Sequence, residues 1–242
     1  MIGLILSAFL ATSVARAQPE FVVTEGVLAD VRFLETVTPG AKTSARLPLV
    51  IALHPQGGSP TDFLALFGGL SERARIILPV ADKNNGLWSW YRGNSTDPGA
   101  PGPRLAAKRL KSFLAQIIAT RPTVRKPIVV GYSQGAIVAL TMAVTESAKL
   151  GTVVSISGRL PPSLFPEVRG AAPGPTVEAF HGRLDRAVPY AACQKSIATF
   201  KAAGFSAKLT SYPDMGHEIT PEEAVHALGA VDRATVEASQ KP

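Results

Sequence analysis

The sequence predicts an α/β protein in which a mostly parallel central sheet has helices on both faces. Short apolar segments alternate with helical patterns along most of the chain, which is typical of parallel strands joined by helices. These segments are almost continuously hydrophobic, as expected for strands that are buried on both sides. In addition, 46% of the 242 residues are hydrophobic and 18% are charged, a composition that excludes a disordered chain.

Residues 1–17 are expected to be a signal peptide and not part of this fold. Residues 2–14 are apolar apart from small hydroxyl residues, and residues 15–17 have the small-x-small pattern of a signal-peptidase site. The segment is too short to span a bilayer, which needs about 20 apolar residues. We expect cleavage after Ala17, a secreted or periplasmic protein without stable membrane insertion, and one mature domain over residues 18–242. An uncleaved tail or a misassigned start is the alternative, because no basic residue follows Met1.

The strands can be placed in chain order. Two β-rich segments within residues 21–35 predict an antiparallel strand pair at the start of the mature chain. Six more strands are then predicted, at residues 49–53, 75–79, 128–132, 153–156, 176–180 and 207–212. Together these strands give a mostly parallel sheet with an antiparallel N-terminal pair.

The helices follow from periodicity and from proline positions. Apolar residues between 110 and 118 recur at three- and four-residue spacing, which predicts the clearest helix. A helix that starts at Gln134 is apolar almost all round and should be buried. Residues 189–203 and 221–237 each begin with proline, which is favourable in the first helical turn. Residues 84–103 are rich in Gly, Pro and Asn and are predicted to form a loop.

A candidate nucleophile lies in the segment GYSQG, residues 131–135, directly between a predicted strand and the buried helix. This is a G-x-S-x-G pattern in the strand–turn–helix context that it requires. The two glycines leave room for a sharp turn that exposes the Ser133 hydroxyl, and the helix N-terminus favours a developing oxyanion. The alternative is an ordinary turn between a strand and a helix.

A serine nucleophile needs a histidine as general base. His217 follows a predicted strand through a short turn and precedes a helix, which places it at the strand end where such a base is expected. His181 ends another strand and is expected to shape the loop that holds the acidic residue. His226 lies within the last helix and is expected to be a surface or packing residue.

The acid of the triad should lie between Ser133 and His217 in the chain. Asp185 occupies a separate loop after a strand, from which its carboxylate can reach the far nitrogen of the histidine ring. Asp214 lies three residues before the histidine and is better suited to a turn. We favour Asp185 and keep Asp214 as the alternative.

Two backbone N–H groups are expected to stabilise the oxyanion. The first belongs to Gln134, the residue after the nucleophile. The second is expected from Gln56 in the loop after the first parallel strand, because Pro55 has no N–H. His54 is expected to support this loop by hydrogen bonding and to take no part in the chemistry.

Four segments together resemble the α/β-hydrolase superfamily, namely LHPQGGSPTDF, GYSQGA, HGRLDRAVPY and YPDMGHEIT. More narrowly, they resemble its small carboxylesterase, phospholipase and acyl-protein thioesterase branch, and the related secreted poly(hydroxyalkanoate) depolymerase-like esterases. Two positions depart from the branch, since Pro55 and Ala136 each replace a glycine. The resemblance implies an α/β-hydrolase fold, and the lack of a long insertion before the acid loop implies that there is no large lid.

The segment WSWYR resembles the branch's Trp-rich segment, which implies that Trp88, Trp90 and Tyr91 line the acyl side of the substrate pocket. The alternative is that these aromatic side chains anchor their loop in the core.

The sequence thus predicts a serine hydrolase that cleaves carboxylic esters with short to medium acyl groups through a Ser133–His217–Asp185 triad and an acyl-enzyme. Thioesters, lactones, polyesters and peptides are alternative substrates, because all share the same tetrahedral chemistry. A catalytically idle hydrolase fold that serves as a binding module is the alternative from another class.

Composition limits the cofactors and partners of this protein. One cysteine excludes an internal disulfide framework and a Cys-rich zinc site, and four histidines leave little material for a multi-His metal centre. We expect no metal and no organic cofactor. The formal charge is +7, but lysine and arginine are scattered, which indicates a solvated basic surface and no nucleic-acid partner.

Overall fold

The computed structural model describes residues 21–92 and 97–240, so the predicted signal peptide lies outside the described residues. In chain order the described elements are β1 (Thr24–Leu28), β2 (Val31–Val37), β3 (Leu47–Leu53), α1 (Pro60–Leu64), β4 (Arg75–Pro79), β5 (Asp82–Asn84), β6 (Leu87–Ser89), α2 (Pro101–Thr120), β7 (Thr123–Tyr132), α3 (Gln134–Thr145), β8 (Thr152–Ile156), α4 (Phe165–Val168), β9 (Thr176–Gly182), α5 (Tyr190–Ala202), β10 (Ala207–Tyr212) and α6 (Pro221–Gln240). Short 3-10 turns connect some of these elements.

An eight-stranded sheet forms the centre of the molecule, in the order β1-β2-β4-β3-β7-β8-β9-β10. The six strands from β4 to β10 in this order are parallel to one another. Strand β2 is antiparallel to β4, and β1 is antiparallel to β2. The predicted mostly parallel sheet with an antiparallel N-terminal pair is therefore confirmed.

Two hydrophobic cores lie on the two faces of this sheet. Successive residues of β3 alternate between them, as the two-residue period of a strand requires. Apolar residues of α2, α3 and α5 pack in one core, and those of α1 and α6 pack in the other. Helix α3 is buried from Gln134 to Val144, as its all-round hydrophobicity predicts. Helices thus cover both faces of the sheet.

The predicted loop over residues 84–103 is only partly correct. Strands β5 and β6 form a small antiparallel hairpin there, and α2 already begins at Pro101. Strands of three residues are too short to show a hydrophobic period. Pro101 and Pro103 looked like loop residues, but proline is tolerated in the first turn of a helix, where its missing N–H has no helical acceptor to lose.

The carboxyl ends of the parallel strands meet at one edge of the sheet, which is where open α/β sheets bind their ligands. The loops that follow β3, β7, β9 and β10 carry Gln56, Ser133, Asp185 and His217. Between β8 and β9 the described chain has only short helical turns, of which α4 spans four residues, so no large helical lid covers this edge. None of the described helices is both long and apolar enough to cross a membrane.

Candidate active site

Ser133 lies on a sharp turn between β7 and α3, with φ of 53° and ψ of −117°. Positive φ is uncommon for residues other than glycine and stores backbone strain that the surrounding structure must hold. Here the Ser133 N–H donates to the carbonyl of Ile156 at 2.9 Å, and the Ser133 carbonyl accepts the N–H of Ile137 at 3.0 Å. These bonds fix the strained residue between β8 and α3.

The two glycines of the GYSQG segment lie where no side chain fits. A Cβ on Gly131 would lie 2.4 Å from the carbonyl oxygen of Gly135, and a Cβ on Gly135 would lie 2.1 Å from that of Leu53. The turn therefore packs backbone against backbone at both positions, which brings the start of α3 against the end of β3.

The structure brings Ser133, His217 and Asp185 into one hydrogen-bonded chain. The Ser133 Oγ lies 2.8 Å from His217 Nε2, and His217 Nδ1 lies 2.7 Å from Asp185 Oδ2. Both distances suit hydrogen bonds in which Nδ1–H donates to the carboxylate and Nε2 accepts the serine proton. Asp214 is exposed in the turn before His217, and the aspartate that bonds the ring is Asp185.

The carboxylate of Asp185 is fully buried and is held by several donors. Its Oδ1 accepts the backbone N–H groups of Ala187 at 2.9 Å and Val188 at 2.8 Å. Its Oδ2 also lies 3.2 Å from Nε2 of His181, which in turn lies 2.8 Å from the Val188 carbonyl. A carbonyl can only accept, so the proton of His181 lies on Nε2.

His181 is a neutral, buried second histidine beside the triad. Its Nδ1 has no hydrogen-bond partner among the described residues, and burial lowers the pKa of its ring. The sequence suggested only that His181 shapes the acid loop, whereas the structure places its Nε2 atom 3.2 Å from the carboxylate that bonds His217, while its N–H donates to the Val188 carbonyl. His226 is exposed on α6 and lies 3.0 Å from the hydroxyl of Tyr212, away from this chain of bonds.

Tyr132 holds the backbone of the loop that carries His217. Its hydroxyl donates to the His217 carbonyl, and the two rings pack with centroids 5.5 Å apart. Burial, together with nearby carboxylates, raises the pKa of Tyr132 to about 12, so it remains a donor at neutral pH.

The backbone N–H groups of Gln56 and Gln134 have no acceptor among the described residues, as an oxyanion site requires. The loop around Gln56 is fixed on both sides. His54 is buried, accepts the Ala81 N–H on Nε2 at 3.2 Å and contacts the Pro55 carbonyl through Nδ1 at 2.9 Å. The Gly57 N–H donates to the Trp88 carbonyl at 2.8 Å and is therefore already occupied.

The buried side chain of Gln134 connects three segments of the site. Its Oε1 accepts the Trp90 N–H at 2.7 Å, and its Nε2 lies 3.4 Å from the side-chain oxygen of Gln56 and 3.2 Å from Ser89 Oγ. These contacts tie the serine turn to the β3 loop and to the β6 segment.

The three aromatic pocket candidates are mostly occupied in supporting this loop. Trp90 donates its ring N–H to the His54 carbonyl at 2.7 Å and packs against the His54 ring at a tilt of 35°, with ring centroids 4.9 Å apart. Trp88 lies beneath Lys83, with the ammonium 4.8 Å from the ring centroid. Tyr91 packs against Gly102 at the start of α2. Trp90 and Tyr91 thus make contacts that support the fold, and the assignment of the three aromatics to the substrate pocket stays a prediction.

A separate apolar groove of about 440 Å³ borders the serine turn and is not lined by those aromatics. Its walls are Pro55, Gly58, Ser59, Asp62, Phe63, Leu66, Tyr132, Ile219, Thr220, Pro221 and Ala224. Sequence reasoning missed this groove, because its walls come from three segments that are distant in the chain.

Sequence reasoning also missed Glu223, a buried carboxyl in the first turn of α6 with no hydrogen-bond partner among the described residues. Burial, with smaller effects from Asp185 and Glu218, raises the pKa of Glu223 to about 8. The pattern T-P-E-E at residues 220–223 is a capping-box signal that could have drawn attention to it. Thr220 does accept the Glu223 N–H at 3.3 Å, but the reciprocal bond to the carboxylate is not formed.

In the described parts of the chain no three His, Cys, Asp or Glu side chains form a group that could hold a metal ion.

Comparisons with known proteins identify the family of this chain. The family model described as Phospholipase/Carboxylesterase matches residues 70–230. Acyl-protein thioesterase 1 from Gibberella zeae is 29% identical over 129 residues, which are 50% of this chain and 54% of that protein. Carboxylesterase SOBER1 from Arabidopsis thaliana is 29% identical over 123 residues, which are 49% of this chain and 53% of that protein. The chain spans about half the length of these curated relatives.

Solved structures show the same fold. The crystal structure of esterase PE8 superposes with a TM-score of 0.71 at 24% identity, over 82% of this chain and 97% of that one. The family model covers well over half of the residues and includes the segments that hold Ser133, Asp185 and His217. The chain therefore belongs to the phospholipase/carboxylesterase family and has the α/β-hydrolase fold.

Proposed function

We propose that this protein is a serine hydrolase of carboxylic esters that works through an acyl-enzyme. The observation that carries the proposal is the continuous chain from Ser133 to His217 to Asp185, with bonds of 2.8 and 2.7 Å, beside two backbone N–H groups that lack an acceptor. A positioned nucleophile, its base, an orienting carboxylate and oxyanion donors are the parts that acyl transfer needs.

In the first half-reaction, the Ser133 Oγ attacks the ester carbonyl while His217 Nε2 takes its proton. The carbonyl oxygen becomes an oxyanion and accepts the N–H groups of Gln56 and Gln134. Asp185 orients the ring and stabilises the imidazolium that forms. His217 then gives the proton to the alcohol oxygen, the C–O bond to the alcohol breaks, and an acyl-Ser133 ester remains.

In the second half-reaction, water replaces the alcohol. His217 takes a proton from this water as it attacks the acyl-Ser133 carbonyl, and the same two N–H groups hold the oxyanion. The proton then returns to Ser133 Oγ as the carboxylic acid leaves. The open edge of the sheet, without a large lid, supports soluble esters with short to medium acyl groups as substrates.

The direct test is the kcat/KM of purified protein on chromogenic esters of graded acyl length. Ser133→Ala and His217→Ala should each lower kcat by roughly 10⁴- to 10⁶-fold, because removing one member disables the unit. Ser112→Ala is the matched control, since Ser112 is exposed on α2, away from the site. Near-wild-type turnover by a folded Ser133→Ala variant would overturn the assignment.

Thioesters are a second candidate substrate, because one of the matched relatives is an acyl-protein thioesterase. The same tetrahedral chemistry serves both substrates, so the panel should include thioesters with the same acyl groups. A higher kcat/KM for thioesters at each acyl length would move the assignment to thioesterase while leaving the residue roles unchanged.

A further inference from the structure

The apolar groove beside the serine turn has the size of a ligand site and an unassigned role. Its volume of about 440 Å³ lies within the range of roughly 300 to 1,000 Å³ that is typical of small-molecule pockets. It runs between the first turns of α1 and α6, on the side of the sheet opposite to α3. Its walls combine Phe63, Leu66 and Ile219 with proline and alanine carbons, so it favours apolar groups.

Three parts of the groove wall are close neighbours in the chain of the proposed catalytic residues. Pro55 lies next to Gln56, one of the proposed oxyanion donors. Tyr132 precedes Ser133 and holds the His217 carbonyl through its hydroxyl. Ile219 and the two residues after it form the wall that directly follows His217 in the chain. A group bound here would therefore extend from the side of the triad on which the histidine lies.

The position of the groove indicates which half of an ester, the acyl half or the alcohol half, it can bind. In the tetrahedral intermediate, the oxyanion faces the N–H groups of Gln56 and Gln134, and the leaving oxygen must face His217 Nε2 to receive its proton. The alcohol half therefore lies on the histidine side, where the groove begins. We propose that the groove binds the alcohol half of the ester and favours an uncharged, apolar alcohol; this inference rests on the proposed function.

Charge supports the same choice of ligand. Among the described residues that line the groove, Asp62 is the one that carries a charge at neutral pH, and no lysine or arginine lines it. Glu218 and Glu222 are exposed on the neighbouring segment and add negative charge nearby. The carboxylate of a charged alcohol would be repelled by these acidic side chains and would find no lysine or arginine in the groove to pair with. The groove thus differs in sign from the whole chain, which has a formal charge of +7.

The test obstructs the groove by placing a larger side chain at a residue that is not one of the proposed catalytic residues. Ala224 is half-buried on α6 and lines the groove, so Ala224→Phe should obstruct it. We expect kcat/KM for benzyl butyrate to fall at least about tenfold, a loss of roughly 1.4 kcal/mol, while that for methyl butyrate stays within about twofold. The kcat/KM value is the suitable measure, because it reports steps in which the alcohol is still attached. Val225→Phe is the matched control, since Val225 is the next residue on α6 and is 68% exposed.

A second measurement keeps the test independent of how well Ala224→Phe folds. Free benzyl alcohol should inhibit wild-type hydrolysis of methyl butyrate competitively, and both Ala224→Leu and Ala224→Phe should weaken this inhibition.

Asp62→Lys should raise kcat/KM for 4-carboxybenzyl butyrate relative to benzyl butyrate by several-fold, because it replaces a repulsive charge with an attractive one.

Two outcomes would overturn the inference. In the first, Ala224→Phe changes the dependence on acyl length in a series of methyl esters, which would make the groove an acyl site. In the second, folded Ala224→Phe hydrolyses benzyl and methyl esters with unchanged relative rates. Either result leaves the proposed function intact as long as Ser133→Ala abolishes ester hydrolysis, so the two failures are distinguishable.

Discussion

At the scale of single residues, Gly135 shows how closely the turn that holds Ser133 is packed. A Cβ at this position would lie 2.1 Å from the Leu53 carbonyl oxygen, and backbone cannot move aside cheaply. We expect Gly135→Ala to lower the free energy of unfolding by about 1–3 kcal/mol or more and to displace Ser133. Urea unfolding measures the first effect and kcat the second. Gly170→Ala is the control, because a Cβ there meets nothing within 4 Å, and equal losses for the two variants would contradict the account.

His181 gives a second prediction at this scale. Its Nε2 atom lies 3.2 Å from the same Asp185 oxygen that bonds His217, so the N–H dipole offsets part of the charge of that carboxylate. Without this N–H dipole, Asp185 should stabilise the protonated form of His217, the proposed general base, more strongly. His181→Leu should therefore shift the acid limb of the kcat/KM–pH profile to higher pH, by up to about one unit.

The companion variant His181→Asn separates electrostatics from packing. Its side-chain amide keeps an N–H donor at the same position of β9, so it should return the limb toward the wild-type position. A purely structural role predicts lower kcat in both variants with the acid limb unmoved, and that result would reject the prediction.

At the scale of elements, the first turn of α6 contains an ionisable group that the fold keeps protonated. Burial raises the pKa of Glu223 to about 8, whereas the pKa of an exposed glutamate is about 4.3. Between these pH values the folded protein holds a proton that the unfolded chain has lost, so stability falls as the pH rises. Below this window the ionisation of Glu223 does not change the stability, and above pH 8 the loss of stability is constant.

Glu223→Gln should remove this dependence, because glutamine has a similar shape and no charge. The stability gained over the wild type should grow from pH 5 to pH 8 by at most about 1.4 kcal/mol per unit. Urea unfolding at several pH values measures it. Glu222→Gln, exposed in the same turn, is the matched control. A gain in Glu223→Gln that does not vary with pH would contradict the assignment of a buried, protonated carboxyl.

At this scale, some elements could be predicted from the sequence alone and others could not. The parallel strands, the main helices and the chain order of Ser133, Asp185 and His217 were predictable, because local hydrophobic patterns and the required order of motifs determine them. The β5–β6 hairpin was not, since its strands are too short to show a period. The groove and the buried environment of Glu223 arise only when α1, β7 and α6 pack together, and no local pattern encodes that contact.

At the scale of the whole molecule, an ion cluster fixes the end of the sheet opposite to the active site. Glu35 on β2 pairs with Arg75, the first residue of β4, and with Arg121 after α2 at 2.8 Å. Arg75 is 1% exposed and would be left without its carboxylate partner if Glu35 were removed. We expect Glu35→Ala to lower the free energy of unfolding by about 3–5 kcal/mol.

Because this cluster lies at the amino ends of the parallel strands, the variant should keep kcat/KM near the wild-type value at temperatures where it is folded. Thermal and urea unfolding, with ester kinetics well below the transition, test both parts. Arg32→Ala, which breaks an exposed pair with Glu25, is the control and should change stability by less than about 1 kcal/mol. Loss of activity in folded Glu35→Ala would show that the two ends of the sheet are coupled.

The central claim is that Ser133 is the nucleophile of an acyl-transfer enzyme. A fluorophosphonate phosphonylates a serine that a nearby base activates, with loss of fluoride, and the adduct can be located by peptide mass spectrometry. The account predicts one adduct per chain, on Ser133, that is absent in Ser133→Ala and forms much more slowly in His217→Ala. An adduct on another residue, or none on correctly folded protein, would contradict it.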